Sequence, residues 1–130
     1  MAKTSPSHQR GEISRIERGE IYLVSFYPTL GHEIKKTRPA LIIQNDIGNR
    51  YSPVTIVAAI TSTVPLVAHP VRVVIEPTNM NGLDTRSTIL LDQIRTVDRQ
   101  RLIKRLGEVD TDTLAKVDDA LKISLALVEI

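Results

Sequence analysis

The chain has 130 residues, and 17 Lys and Arg against 15 Asp and Glu give it a formal net charge of +2. It has no cysteine and three scattered histidines, which excludes a disulfide framework, a thiolate nucleophile and a histidine-rich metal centre. The length fits one domain. Because only 3% of the residues are aromatic, we expect a core of Val, Ile, Leu and Ala. We also expect that the protein uses no metal and no cofactor.

The N-terminal segment differs in composition from the rest of the chain. Residues 1–16 are polar and contain Ser5-Pro6-Ser7, so we expect a flexible arm before a domain spanning 17–130. The arm lacks the apolar run of a secretory signal. The uncharged stretch Tyr51–Val71 is broken by prolines, and its apolar part is far below the ~20 residues of a membrane span. We therefore expect a cytoplasmic protein without a membrane contact.

Short β-forming segments separated by turn residues follow in chain order. The predicted strands are Ile21–Phe26, Ala40–Gln44, Pro53–Thr61, Val71–Glu76, Ser87–Leu91 and Leu102–Val109. The segment Tyr27–Thr37 is predicted to be a loop, and Asn45–Asn49 a turn. A basic run between Arg95 and Arg105 is either a solvated face or a nucleic-acid contact.

The C-terminal segment predicts a helix. Asp110 or Thr111 can cap its start, and one apolar stripe recurs at helical spacing through Leu114, Val117, Leu121, Leu125 and Val128. Five or six short strands followed by one helix predict a mostly β fold, a small antiparallel barrel or sandwich with a packed helix.

The basic loop before the second strand is a candidate anion site. Proline restricts the preceding residue to extended geometry, so Pro39 would hold Arg38 at the mouth of a strand. A guanidinium there can bind a phosphate through two hydrogen bonds, and Lys36 adds charge nearby. A surface ion pair between Arg38 and Glu33 is the alternative interpretation.

Two further groups carry possible chemistry. Thr61 ends the third predicted strand and is followed by Ser62 and Thr63, whose hydroxyls either donate to phosphate oxygens or simply begin a loop. His32 has an imidazole suited to a general base, although a solvated loop histidine is the alternative. The sequence has no glycine-rich phosphate loop and no G-x-S-x-G motif.

The order and spacing of several short motifs resemble the MazF/PemK family of toxin endoribonucleases. The resemblance extends from about Arg18 to Val128. Its motifs are Arg18-Gly19-Glu20-Ile21-Tyr22, Pro28-x-x-Gly31-x-Glu33, Arg38-Pro39 before an aliphatic strand, the segment Gln44–Pro53, Val57–Thr61, Ile89–Thr96 and Ile123–Leu127.

This resemblance implies an SH3-like barrel of the CcdB/MazF type and a homodimeric toxin that cleaves single-stranded mRNA without a metal. The catalytic arginine and threonine of the family correspond to Arg38 and Thr61, and its loop glutamate corresponds to Glu33. His32 stands at a position that is often serine in the family. The implied partner is an antitoxin whose disordered acidic tail occupies the RNA groove.

The resemblance also suggests a mechanism and a set of substrate contacts. In the expected reaction the 2′-hydroxyl of the RNA attacks the adjacent phosphodiester, with Arg38 stabilising the phosphorane, Thr61 hydrogen-bonding a non-bridging oxygen, and Glu33 or His32 as the base. The candidate substrate-binding residues are His32, Lys36, Asn49, Ser52 and Gln93, with Tyr27 or Tyr51 as stacking platforms.

Two other functions are compatible with the same fold. One is a non-catalytic toxin that poisons gyrase, but the activity of that family resides in a tryptophan-containing tail, and this chain has no tryptophan. The other is an SH3-like module that binds RNA without cutting it.

Overall fold

A computed structural model describes residues 15–26 and 37–129, and the secondary structure follows the predicted order. The strands are β1 Glu20–Ser25, β2 Thr37–Ile42, β3 Val54–Thr61, β4 Arg72–Ile75, β5 Ser87–Asp98 and β6 Leu102–Glu108. The helices are α1 Asp46–Tyr51 and α2 Thr111–Ser124, and a 3-10 turn at Arg99–Arg101 joins β5 to β6. Most of the predicted arm and loop lie outside the described residues.

The strands form one antiparallel sheet in the order β4-β5-β3-β2-β1-β6. β3 is central because its residues are apolar on both faces, and five of its eight positions are buried. β5 is twelve residues long, and its pairing with β3 shifts register between Ala58 and Ile60, a bulge that bends both strands. The sheet is not closed, so the predicted fold class, mostly β with a C-terminal helix, is observed as a small open barrel.

Alternation along the strands divides the core between the two faces of the sheet. One face buries Ile21 and Leu41 together with Val117 and Ala120 of α2, so this face lies under the helix. The other face buries Tyr22 and the neighbouring apolar residues of β1, β2 and β3, and it forms the inside of the open barrel. Each face has its own hydrophobic cluster because successive side chains of a strand point to opposite sides.

The segment before β1 is part of the folded unit. Ile16, which the sequence analysis assigned to the arm, is 3% exposed and packs in the cluster inside the barrel. Arg18 joins the sheet to the helix: its Nε donates to the Ile43 carbonyl at 2.8 Å, and its Nη2 pairs with Asp118 at 2.8 Å. Residues 15–16 therefore belong with the domain.

Three elements differ in extent from the sequence prediction. The predicted turn at 45–49 is the start of α1, because the Asn45 side chain caps the helix by accepting a hydrogen bond from the Gly48 N–H. β5 continues to Asp98, well past Leu91. α2 is capped by Asp110 and ends at Ser124, where the chain turns through Ala126 with φ 59°. Within the described residues no helix is long and apolar enough to cross a membrane.

Candidate functional site

Arg38 and Thr61 lie just beyond the observed pairing of two neighbouring strands and line the same cavities. β2 and β3 pair with Ala40 opposite Ala59, and continuing this register by two residues along each strand sets Arg38 opposite Thr61. Side chains of directly opposite residues lie on the same face of a sheet. Pro39 has no N–H for the ladder, which therefore opens at this point and leaves the two polar side chains at its edge.

Two cavities share these two residues. The first, about 240 Å³, is lined by Arg38 and Thr61 together with Pro39, Ile60, Ser62, Leu83, Asp84, Thr85 and Ser87. The second, about 290 Å³, is lined by Arg38 and Thr61 together with Thr63, Pro65, Arg72, Thr88, Leu90 and Gln93. We call these the Asp84 cavity and the Arg72 cavity. Arg38 and Thr61 thus form the wall between them.

The polar atoms of this wall are arranged for a ligand with negative charge. Arg38 is exposed, and among the described residues its guanidinium has no carboxylate partner. Thr61 Oγ1 accepts a hydrogen bond from the Thr63 N–H at 3.2 Å, which leaves its hydroxyl proton available for donation. Thr88 Oγ1 donates to the Thr63 carbonyl at 2.8 Å and fixes the turn that follows β3.

The Arg72 cavity adds a second guanidinium. Arg72 Nη2 donates to Asp92 Oδ2 at 3.1 Å, whereas its Nε is buried without a hydrogen-bond partner. This hydrogen bond from Arg72 lowers the pKa of Asp92, so the carboxylate stays ionised and keeps the guanidinium in place. Gln93, one of the predicted substrate-binding residues, lines the same cavity.

Asn49 and Ser52, two other predicted substrate-binding residues, lie at the opposite end of β3 from Thr61. The eight residues of β3 separate the two ends by about 23 Å. Asn49 is 1% exposed, and its side chain bonds only protein groups, including the Thr55 hydroxyl at 2.7 Å and the Gln44 carbonyl at 2.9 Å. Ser52 Oγ accepts from the Val54 N–H at 3.2 Å. These two side chains stabilise the joint between α1 and β3.

The loop residues Glu33, His32 and Lys36, predicted as a catalytic group and two substrate contacts, lie outside the described residues, as does Tyr27. The other predicted stacking residue, Tyr51, is 76% exposed but belongs to the α1 end of the molecule. The structure therefore brings together Arg38, Thr61 and Gln93 of the predicted site.

The basic run between Arg95 and Arg105 is divided among several roles. Arg99 Nη1 donates to the Asn49 carbonyl, and Arg105 Nε donates to Glu20 at 3.1 Å, so both act within the fold. Arg95 is exposed and lies over the ring of Phe26, 5.1 Å from its centre, a cation–π contact at the mouth of the barrel. Of these three arginines, Arg95 is thus the one available to a ligand.

Sequence reasoning missed Arg72 and Asp84 as cavity residues. Both follow turns that carry no recognisable motif, and both reach Arg38 only through the pairing of β5 with β3 and β4. The one signal was indirect: Arg72 lies near the start of the predicted strand Val71–Glu76, and Asp84 lies shortly before the predicted strand Ser87–Leu91. Within the described part of the chain no three His, Cys, Asp or Glu side chains are grouped to hold a metal ion.

The fold and this site define a class of protein, which comparisons with known proteins make specific. Residues 17–125 match the sequence model of the PemK-like, MazF-like toxins of type II toxin–antitoxin systems. The chain belongs to this family.

Relatives in sequence and in structure agree with that assignment. Endoribonuclease EndoA of Bacillus subtilis is 46% identical over 114 residues, which cover 88% of this chain and 97% of EndoA. A MazE–MazF structure from Deinococcus radiodurans matches with a TM-score of 0.72 and 27% identity over 87% of this chain and 97% of that chain. A mycobacterial endoribonuclease in complex with its cognate antitoxin matches with a TM-score of 0.71 and 26% identity, over 88% of this chain and 99% of that chain.

Proposed function

We propose that this toxin is an endoribonuclease that cuts single-stranded RNA at the wall formed by Arg38 and Thr61. The observation that carries the proposal is the pairing of an exposed guanidinium with a hydroxyl, opposite each other at an open strand edge and between two cavities. EndoA, the 46% identical relative, is named an endoribonuclease. The second guanidinium, Arg72, continues the positive surface along which a phosphate backbone would lie.

The reaction needs no nucleophile from the protein. The 2′-oxygen of the RNA bonds to phosphorus, the bond from phosphorus to the 5′-oxygen breaks, and the products are a 2′,3′-cyclic phosphate and a 5′-hydroxyl. The 2′-hydroxyl loses a proton, and the leaving 5′-oxygen gains one, which Arg38 donates in this proposal. Glu33 or His32 accepts the first proton in this proposal, and neither step requires a metal.

Arg38 and Thr61 act on the charge that develops at phosphorus. The guanidinium of Arg38 stabilises the phosphorane, a contribution of about 3–4 kcal/mol by analogy with a donor to an oxyanion. The Thr61 hydroxyl donates to a non-bridging oxygen while its oxygen is held by the Thr63 N–H. Fixing the substrate so that the 2′-oxygen and phosphorus are aligned lowers the barrier further.

The proposal includes partners and a compartment. The protein acts as a homodimer in the cytoplasm, and its cognate antitoxin places a disordered acidic tail in the groove that contains Arg38 and Arg72. Negative charge on the tail would compete with RNA for the same guanidinium groups. Two of the structural relatives are complexes of a toxin with its antitoxin, which supports this arrangement.

The proposal is tested with labelled RNA in the presence of EDTA. We expect the wild-type protein to produce discrete fragments, and Arg38→Ala to lower the rate about 10²- to 10³-fold, the usual cost of losing one such donor. Thr61→Val, which removes the hydroxyl at nearly constant shape, should also be slow.

Lys116→Ala, which removes an exposed cation from α2, is the matched control and should cut at the wild-type rate. Binding of RNA by the wild type without fragments would instead identify an RNA-binding module. Growth arrest with inhibited gyrase and intact RNA would identify a gyrase poison.

A further inference from the structure

The Asp84 cavity places a carboxylate beside the cleavage wall. Arg38 and Asp84 are the two charged residues among those that line it, and they form no ion pair with each other. The neighbouring Arg86 does not neutralise Asp84, because its Nε pairs with Glu76 at 2.8 Å. The Asp84 carboxylate, an anionic acceptor, therefore lines the same cavity as Arg38, beside which the scissile phosphate would bind.

The turn that carries Asp84 is held rigidly. Asn81 is 6% exposed, and its Oδ1 accepts hydrogen bonds from the N–H groups of Thr78 and Leu83, both at 3.0 Å. Gly82 has φ 70°, and a Cβ there would lie 2.0 Å from the Leu106 carbonyl oxygen, so the backbone is pressed directly against β6. The buried Leu83 then fixes the residue just before Asp84.

The far side of the turn is equally constrained. Ser87 is buried, and its hydroxyl donates to the Thr85 carbonyl at 2.8 Å. Asp84 is therefore exposed on a segment anchored at both ends. A pre-organised acceptor of this kind suits discrimination between ligands, because little conformational entropy is lost when it binds.

The chemistry of the Asp84 cavity does not suit a phosphate. An ionised carboxylate only accepts hydrogen bonds and repels another anion. Pro39, Ile60 and Leu83 supply apolar walls, and the hydroxyls of Ser62 and Thr85 lie at the rim. A carboxylate among apolar walls and hydroxyl groups fits a nucleobase that presents an N–H donor. The Arg72 cavity, with its second guanidinium and Gln93, fits the phosphate and ribose side of the strand.

We propose that Asp84 selects the base adjacent to the cut by accepting a hydrogen bond from its exocyclic amino group. Adenine, cytosine and guanine carry such a group, at N6, N4 and N2 respectively, whereas uracil has carbonyl oxygens at both of the corresponding ring positions, O4 and O2, and the carboxylate repels them. This inference rests on the proposed endoribonuclease function and adds to it a specificity-determining residue outside Arg38 and Thr61.

The test maps the cleavage sites of the wild type, Asp84→Asn and Asp84→Ala on a long RNA of random sequence, by sequencing the fragment ends. In wild-type sites one position next to the cut should contain A, C or G and exclude U. Asn both donates and accepts hydrogen bonds, so Asp84→Asn should admit U there, with a relative rate at least about tenfold higher, as expected for one base-edge contact. Asp84→Ala should flatten the preference without favouring U.

Analogues and a control variant separate the outcomes. An oligonucleotide whose base at that position lacks only the amino group, such as inosine in place of guanosine, should be cut slowly by the wild type and almost equally by Asp84→Ala. Asp119→Asn, the same change on the exposed side of α2, should keep the wild-type preference.

If the wild type cuts no RNA, the endoribonuclease proposal fails. If the wild type cuts and the Asp84 variants keep its preference, or lose rate equally at every site, only the base-reading role is overturned.

Discussion

The position of the Arg72 side chain depends on a neighbouring carboxylate. Asp92 accepts a hydrogen bond from Arg72 Nη2 at 3.1 Å, and Arg72 Nε is buried without a hydrogen-bond partner. Because the pKa of Asp92 is lowered, the pair is intact above the ordinary aspartate value of about 3.9 and is lost as the pH falls through the lowered pKa. The ionised Asp92 therefore holds the Arg72 guanidinium in place at neutral pH.

Replacing Arg72 should weaken RNA binding more than it slows the chemical step. We expect Arg72→Ala to raise KM with little change in kcat, and to reduce the slope of log affinity against log salt concentration by about 1, the value for one lost phosphate contact. Titrations of a non-cleavable RNA at several salt concentrations measure this slope. Arg72→Lys, which keeps the charge, should retain the slope, and an unchanged slope in Arg72→Ala would contradict the assignment.

At this scale the sequence led to two residues, Arg38 and Thr61, that line the same two cavities, but it did not indicate the residues around them. Arg38 and Thr61 are recognisable because each sits at the end of an apolar strand within a family motif. Asp84 and Arg72 are separated from Arg38 by 46 and 34 positions, and only the sheet order brings them to the same wall. Asn49 is a predicted substrate contact, and its burial was not foreseeable, because a buried amide and an exposed one look alike in a single sequence.

Among the elements, α1 shows how a short polar motif stabilises a joint. The Asn49 side chain bonds Gln44, Asp46 and Thr55, and its backbone carbonyl accepts a hydrogen bond from Arg99. The helix thereby connects β2, β3 and the turn after β5. The six residues of α1 bury little apolar surface, so this hydrogen-bonded network provides much of the stabilisation that keeps the helix against the sheet.

Truncating Asn49 should destabilise the fold without altering which RNA sites are cut. Asn49→Ala leaves the buried Thr55 hydroxyl without its acceptor, whereas the Gln44 amide keeps the Val54 carbonyl at 3.0 Å, and one such orphaned group costs about 1–3 kcal/mol. Urea unfolding monitored by circular dichroism measures the loss, and Asn79→Ala, an exposed asparagine, is the control. A stable Asn49→Ala variant with altered cleavage sites would contradict this structural role and support the prediction that Asn49 contacts the substrate.

The elements were predictable to different degrees for physical reasons. Short runs of apolar, β-forming residues predict β1, β2 and β4, and the Asp110 cap predicts the start of α2. The second half of β5 carries exposed Arg95 and Thr96 and one buried apolar residue, Val97, so its pattern lacks the apolar run that marks a strand. Its strand geometry comes from pairing with β3, a tertiary effect.

Across the whole molecule, the two ends of β3 have separate tasks. At the α1 end the polar side chains form hydrogen bonds with each other. A cavity of about 530 Å³ at this end is lined by both acidic and basic groups, including Glu17 and Arg50. The Thr61 end is open and divides into a cavity with a carboxylate and a cavity with a second guanidinium. A strand of RNA bound across this end would contact a carboxylate on one side and a guanidinium on the other. Because the two sides differ, the surface favours one orientation of the RNA strand.

The central claim, that Arg38 and Thr61 serve a reaction in which RNA attacks itself, is tested by one substitution in the substrate. Once a cleaved sequence is known, an oligonucleotide with a single 2′-deoxyribose immediately 5′ of the cut is incubated with wild-type protein in EDTA. We predict no cleavage of this strand, and a 2′,3′-cyclic phosphate end from the all-ribose control. Cutting of the deoxy-substituted strand at the same position would contradict the mechanism, since water or a protein group would then be the nucleophile.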